Sequence, residues 1–147
     1  MNDRILHKYQ NLCSRREYCT KDITSKLMKD LEGDSAAVGE MLESLKKERY
    51  VDDLRYASAF ARDKSHIQGW GGIKISYMLR AKGIDQETIR EALAEIEQDK
   101  SDDRLLKLLK TKNAALKDDP QKRLKLLRYA LGRGYDYESV SKLLSEL

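Results

Sequence analysis

Apolar residues along this chain recur three and four apart, and one such series occurs three times. "DSAAVGEMLESL" at 34–45, "DQETIREALAEI" at 85–96 and "DYESVSKLLSEL" at 136–147 superimpose at a constant offset of 51 residues. Asp34, Asp85 and Asp136 coincide, followed by Val38, Ile89 and Val140, then Leu42, Leu93 and Leu144, then Leu45, Ile96 and Leu147. An Asp four residues ahead of apolar positions at i, i+4 and i+7 predicts an N-cap and a helix with one buried stripe.

Another helical segment lies upstream of each series, over roughly 20–31, 72–82 and 121–132, and a further one over roughly 4–18, 52–67 and 102–116. The second and third copies close alike, in "KGID" and "RGYD", where Gly83 and Gly134 suit the left-handed residue that ends a helix. The pattern therefore predicts an all-α chain built as a tandem array of three three-helix repeats, over 1–48, 49–99 and 100–147. A unit of this size has a poor surface-to-volume ratio alone, so the copies are expected to stack, share a core and form an elongated, curved body. A compact bundle of the same helices is the alternative. Leu147 falls in phase with Leu45 and Ile96, so no further segment is expected after it.

The stretch "YVDDLRYASAFARDKSHIQGWGG" at 50–72 carries the residues most open to a chemical reading. On a helix starting near Asp52, Leu54, Ala57 and Ala61 share a side that Tyr56 and Phe60 widen, while Arg55, Arg62 and His66 lie opposite, with Lys64 near the C-terminal turn. Asp52 and Asp53 are expected to satisfy free N–H groups at the helix start. "SDDRLLKLL" at 101–109 and "DDP" at 118–120 read as two more such starts. A metal site would need further converging ligands, and the chain has no helical H-x-x-x-H and no acidic ladder. "GWGG" at 69–72 is no phosphate loop, because no strand precedes it, and reads as a flexible connector. Trp70 within it is a candidate for stacking on a base or anchoring a protein partner.

Composition narrows the choice. Of 147 residues 37% are charged and 40% hydrophobic, which suits a folded, helix-rich, highly charged protein. No apolar stretch approaches the roughly 20 residues that cross a bilayer, and the N-terminus lacks the apolar core of a secretory signal, so a cytoplasmic location and no membrane contact are expected. Cys13 and Cys19 have the spacing of neither a redox pair nor a zinc half-site and read as reduced thiols. Only His7 and His66 are available as imidazoles, neither in a serine or cysteine arrangement, so no enzyme activity and no cofactor are expected. The net charge of +4 permits a polyanionic partner. Lys122, Lys125, Tyr129 and Arg133 form one basic stripe opposite Leu124, Leu127 and Leu131, which are expected in the core. Lys74, Tyr77, Arg80 and Lys82 surround Ile75, Met78 and Leu79 on the corresponding helix of the second copy. Such runs are ordinarily solvated faces; aligned on stacked copies they would make a track for phosphates or an acidic protein groove.

These residues also resemble a known family. "KKERYVDDLRYASAFARDK" followed by "GGIKISYMLRAKGID" resembles the central signature of the RecX regulatory proteins. Tyr50, Val51, Asp52, Asp53, Arg55, Tyr56 and Ala57 match its Y-[LIV]-[DN]-D-x-[RK]-[FY]-A element, and Leu79, Lys82, Gly83 and Ile84 its L-x-x-K-G-I element. "CSRREYCTKDITSKL", with Arg15, Arg16 and Glu17, is similar to the first-copy pattern, and "LGRGYDYESV" to the closing R-G-[FY] element. The resemblance implies a monomeric, nine-helix modulator of RecA that lodges in the groove of the RecA–DNA filament and limits extension, ATP hydrolysis and strand exchange without a catalytic step. Arg55, Arg62, Lys64, Trp70, Lys74, Arg80, Lys82, Lys122, Lys125, Tyr129 and Arg133 are the candidate contacts to the RecA filament or to single- or double-stranded DNA. A stand-alone single-stranded DNA-binding module and a generic helical-repeat adaptor are the other readings.

Overall fold

The structure, a computed structural model, describes residues 1–96 and 98–147. Among these residues the chain forms nine α-helices and no strand: α1 Asp3–Arg15, α2 Thr20–Asp30, α3 Ser35–Lys47, α4 Asp53–His66, α5 Gly72–Ala81, α6 Gln86–Ala94, α7 Gln98–Leu116, α8 Lys122–Gly132 and α9 Tyr137–Leu144. The third helix of each triplet starts on an aspartate whose carboxylate accepts a free backbone N–H of the first turn: Asp34 from Ala37, Asp85 from Thr88 and Asp136 from Ser139. Asp52 does the same for α4, accepting from the Arg55 N–H at 3.0 Å.

The turns before these caps set the first copy apart from the other two. In the second and third copies one left-handed glycine, Gly83 (φ 74°) or Gly134 (φ 98°), redirects the chain. In the first copy two consecutive residues are left-handed, Glu32 (φ 53°) and Gly33 (φ 78°), and α2 is one residue longer than α5. Ile23 and Leu27 thus correspond to Ile75 and Leu79, and all four are fully buried.

Closely packed helix pairs all lie within a triplet: α1 and α2 with α3, α4 and α5 with α6, α7 and α8 with α9, and the first two helices of the second and third triplets with each other. Three separate clusters of buried residues follow, one centred on Tyr9, Leu27 and Met41, one on Ala61, Leu79 and Ile89, and one on Leu105, Leu126 and Val140. This is a tandem array of three three-helix repeats. The expected continuous core is not what joins them. Cys19, from the turn between α1 and α2 of the first triplet, is fully buried in the second cluster, and Val51, just ahead of α4, is buried in the first. We propose the same division into units, with the second boundary moved to the start of α7 at Gln98.

Several expected faces are rotated. On α4 the buried side is Tyr56, Ala57, Ser58, Ala61 and Ser65, while Leu54, in the first turn where no neighbouring helix covers it, is 38% exposed. On α8 the core takes Leu126 and Ala130, the equivalents of Ile75 and Leu79; Leu124 and Leu131 face out and Leu127 is partly buried. Met78 on α5 is likewise on the rim, and Leu147 lies past the end of α9 and is exposed. The acidic pairs also divide. Asp102 and Asp103 lie inside α7, which begins at Gln98, rather than at its start. Asp119 sits in the turn before α8, where it accepts from the Gln121 N–H at 2.8 Å and pairs with Lys125.

Candidate interaction surface

The segment "GWGG" is hydrogen-bonded into a seam with the third unit and is not a free connector. The Gly71 N–H donates to the Arg133 carbonyl at 2.8 Å and the Ile73 N–H to the Gly134 carbonyl at 3.0 Å, so the turn before α5 and the turn before α9 meet backbone to backbone. A Cβ on Gly71 would lie 2.6 Å from the Gly134 carbonyl carbon and 2.8 Å from the Tyr135 nitrogen, and one on Gly134 would lie 2.7 Å from the Lys74 nitrogen. The Tyr135 hydroxyl donates to the Gly69 carbonyl at 2.9 Å, and the Arg133 guanidinium donates to the Gln68 carbonyl. These contacts hold the second and third units together.

Trp70 rises from this seam. One side of its indole packs partly buried against the second core, edge-on to Phe60 at 6.2 Å between centroids. Two ammonium groups stand over it, Lys64 from the end of α4 at 4.8 Å from the ring centroid and Lys74 from the start of α5 at 4.4 Å. Both distances are within cation–π range. Beside this stack α5 turns Ile73, Tyr77 and Arg80 outward; Ile73 is 58% and Tyr77 66% exposed, unusual for large apolar side chains on a helix whose core face is Ile75 and Leu79. Ile67, just past α4, is also exposed. Neither Ile67 nor Ile73 is among the candidates named from the sequence, and Tyr77 is set there in the basic run of α5 without being counted as a contact. For the α5 pair the signal was an i, i+4 apolar step displaced from the core stripe.

Most of the other candidates make contacts within the molecule. Arg55 pairs with Glu17 and donates to the Arg49 carbonyl at 2.9 Å; the Glu17 carboxylate beside it raises the guanidinium pKa. Lys82 pairs with Asp22 at 3.0 Å, and that hydrogen bond raises its pKa as well. Both ties cross from the second unit to the first, as does Asp53, whose carboxylate accepts from the Thr20 N–H at 2.8 Å and hydroxyl at 3.0 Å. Asp53 thus completes the start of α2, where Cys19 makes no side-chain cap. Arg62 meets Glu95 at 3.3 Å in a largely exposed pair worth little energy. Lys125 pairs with Asp119, and that ammonium holds the Asp119 carboxyl below its usual range. Tyr129 is flanked by Lys112 and Arg133 at 5.2 and 5.9 Å from its ring centroid. Lys122 stands at the start of α8. The expected single track thus resolves into one aromatic–cation patch on α4 and α5, a smaller one around Tyr129, and a set of inter-unit ties.

No group of three or more His, Cys, Asp or Glu among the described residues is arranged to hold a metal ion. Cys13 and Cys19 are both free and buried, and burial raises both thiol pKa values. Among the described residues no helix is long and apolar enough to cross a membrane.

Among the described residues the distinctive features of this helical-repeat body are on its surface. Residues 52–93 match the family model described as "RecX, second three-helix domain". The chain is 30% identical over 139 residues to the regulatory protein RecX of Prosthecochloris aestuarii, covering 90% of this chain and 85% of that one. It is 32% identical over 131 residues to the regulatory protein RecX of Clostridium botulinum (strain Eklund 17B / Type B), covering 86% of this chain and 60% of the relative. The chain therefore spans about 60% of the length of the clostridial relative. The crystal structure of RecX from Lactobacillus salivarius superimposes with a TM-score of 0.85 at 21% identity, covering 97% of this chain and 96% of that one. This chain belongs to the RecX family of regulatory proteins.

Proposed function

We propose that the chain is a non-enzymatic regulator of the RecA recombinase, acting in the cytoplasm as a monomer that lodges in the groove of the RecA–DNA filament and limits its extension, ATP hydrolysis and strand exchange. The observation that carries this reading is the Lys64–Trp70–Lys74 stack continued by Ile73, Tyr77 and Arg80. It places cations and exposed apolar groups side by side on the unit that the family model matches, the composition expected of a surface that meets both protein and phosphate. Anchored aromatics of this kind commonly carry more than 1 kcal/mol of a binding free energy. In the test, RecA ATPase on single-stranded DNA is measured while the chain is added in substoichiometric amounts. The rate should fall, and Trp70→Ala should weaken the effect about tenfold; an unchanged rate with the native chain overturns the proposal.

The same stack favours one second reading, a stand-alone module for single-stranded DNA, because a base stacks on an indole and phosphates on its two lysines. That reading requires salt-sensitive binding to single-stranded DNA with RecA absent, weakened when Lys64 and Lys74 are both replaced by alanine.

A further inference from the structure

On the third-unit side of the glycine seam lies a pocket of about 320 Å³ closed by the end of α4, the turn at Gln68 and Gly69, one face of α7 and the end of α8. Its walls carry Arg104, Lys107 and Arg133, with His66, the Thr111 hydroxyl and Tyr129, and no aspartate or glutamate lines it. Two buried side-chain nitrogens among the described residues have no acceptor, the Nε of Arg104 and the Nε of Arg133; both residues line this pocket, and Arg104 also lines a neighbouring one with Asp102 and Asp136. Buried N–H groups in folded proteins are nearly always satisfied, and those of a charged guanidinium most of all.

Three cations, two on α7 and one at the C-cap of α8, two of them with buried unpaired N–H groups and with no carboxylate in this wall, form an arrangement that an anion completes. Several donors approaching from different helices suit the oxygens of a phosphate better than the planar pair of a carboxylate. The volume sits at the lower end of the range for small-molecule sites, enough for a phosphate and the group attached to it. Tyr129, already flanked by Lys112 and Arg133, offers that group an aromatic face. We infer that this inter-unit pocket binds the phosphate group of a nucleotide, free or within a nucleic-acid strand. The site is separate from the Trp70 stack that carries the RecA reading, although its Tyr129 and Arg133 are also among the candidate contacts to RecA or DNA.

The test uses the whole chain, labelled with nitrogen-15, with RecA absent. Inorganic phosphate, deoxyadenosine monophosphate, deoxyadenosine and a short oligothymidylate are titrated in turn, and the amide signals of Gly69 and Thr111 are followed. The two small phosphate-bearing probes should shift both amides saturably, and deoxyadenosine should leave them in place. Saturation by the oligothymidylate at a lower concentration per phosphate assigns the source to a nucleic-acid strand; the reverse order assigns it to a free nucleotide. Lys107→Ala should weaken phosphate binding about fivefold, the loss for one partly exposed charge. Arg104→Lys, which keeps the charge and removes the Nε donor, should weaken it as well. Equal shifts with deoxyadenosine, unsaturable shifts spread over the lysine-rich helices, or full affinity in Lys107→Ala would each overturn the inference. None of these results alters the ATPase titration, so the two readings stand or fall separately.

Discussion

Residue 134 shows how little room one atom has at the junction of the second and third units. Gly134 has φ 98° and its missing Cβ would collide with Lys74, while Gly71 opposite it has an ordinary φ but no space beside the Gly134 carbonyl. Gly72, the next residue, has open space where a Cβ would go. Alanine at 71 or 134 should therefore destabilise the chain by about 1–3 kcal/mol through overpacking and, at 134, backbone strain. Alanine at 72, in the first turn of α5, should be neutral or stabilise by up to about 1 kcal/mol. Urea unfolding midpoints of the three variants check the contrast. Capping makes a second prediction. Hydrogen bonds from the Ser139 backbone N–H and hydroxyl hold the Asp136 carboxyl below its usual range. A carboxyl depressed on folding contributes stability that is fully present above the unfolded pKa of about 3.9 and is lost as pH falls through the lower folded value. Asp136→Ala should cost about 1 kcal/mol at pH 7, and the difference from the native chain should shrink below pH ~4 in the same unfolding assay.

Among the helices, α4 differs most from its equivalents. Ile5, Tyr9 and Cys13 fill the first core from α1, and Leu105 and Leu109 fill the third from α7, but the matching face of α4 offers Ala57, Ala61 and Ser65. Small side chains allow α6 to pack close, and leave no space for larger ones. Ala61→Leu should cost about 1–3 kcal/mol by overpacking, measured as a loss in thermal or urea stability. What could be read from the sequence follows the range of each interaction. The aspartate caps, the closing glycines and the Val38, Ile89 and Val140 stripe are local features, set within one turn of helix, and sequence periodicity states them directly. Leu124 and Leu131 were misplaced because α8 carries more leucines than one face buries, and the choice falls to the neighbouring helices. The Asp53 bond to Thr20, Cys19 in the second core and the Gly71–Gly134 seam join positions tens of residues apart, and no local pattern records them. The candidate surface was half legible for the same reason: Trp70 stood out among glycines, but only the fold brings Lys64 and Lys74 onto it.

Across the whole molecule, three cores joined by two unlike junctions imply that stability is distributed unit by unit, as in repeat proteins, where each unit's own packing and its neighbour contacts add separately. The first and second units exchange buried side chains and are tied by Arg55–Glu17 and Lys82–Asp22. The second and third meet through the glycine seam and the Tyr135 hydroxyl. A cavity cut in the third core should therefore loosen that unit well before it is felt in the first. Leu109 is fully buried there, and Leu109→Ala should cost the third unit about 2–5 kcal/mol. Hydrogen exchange should then show lost protection in α7, α8 and α9 while the amides of α1, α2 and α3 exchange at their native rates. The two thiols provide a second reading without any label. Cys13 reports opening of the first core and Cys19 opening of the second, since each is buried in a different cluster and burial holds both pKa values up. Their slow reaction with a thiol reagent should be unchanged by Leu109→Ala and accelerated at Cys13 by Met41→Ala, because Met41 is buried in the first core. Uniform acceleration at both thiols, with protection lost equally over all three units, would instead mean that the seam and the exchanged side chains fuse the array into one cooperative block.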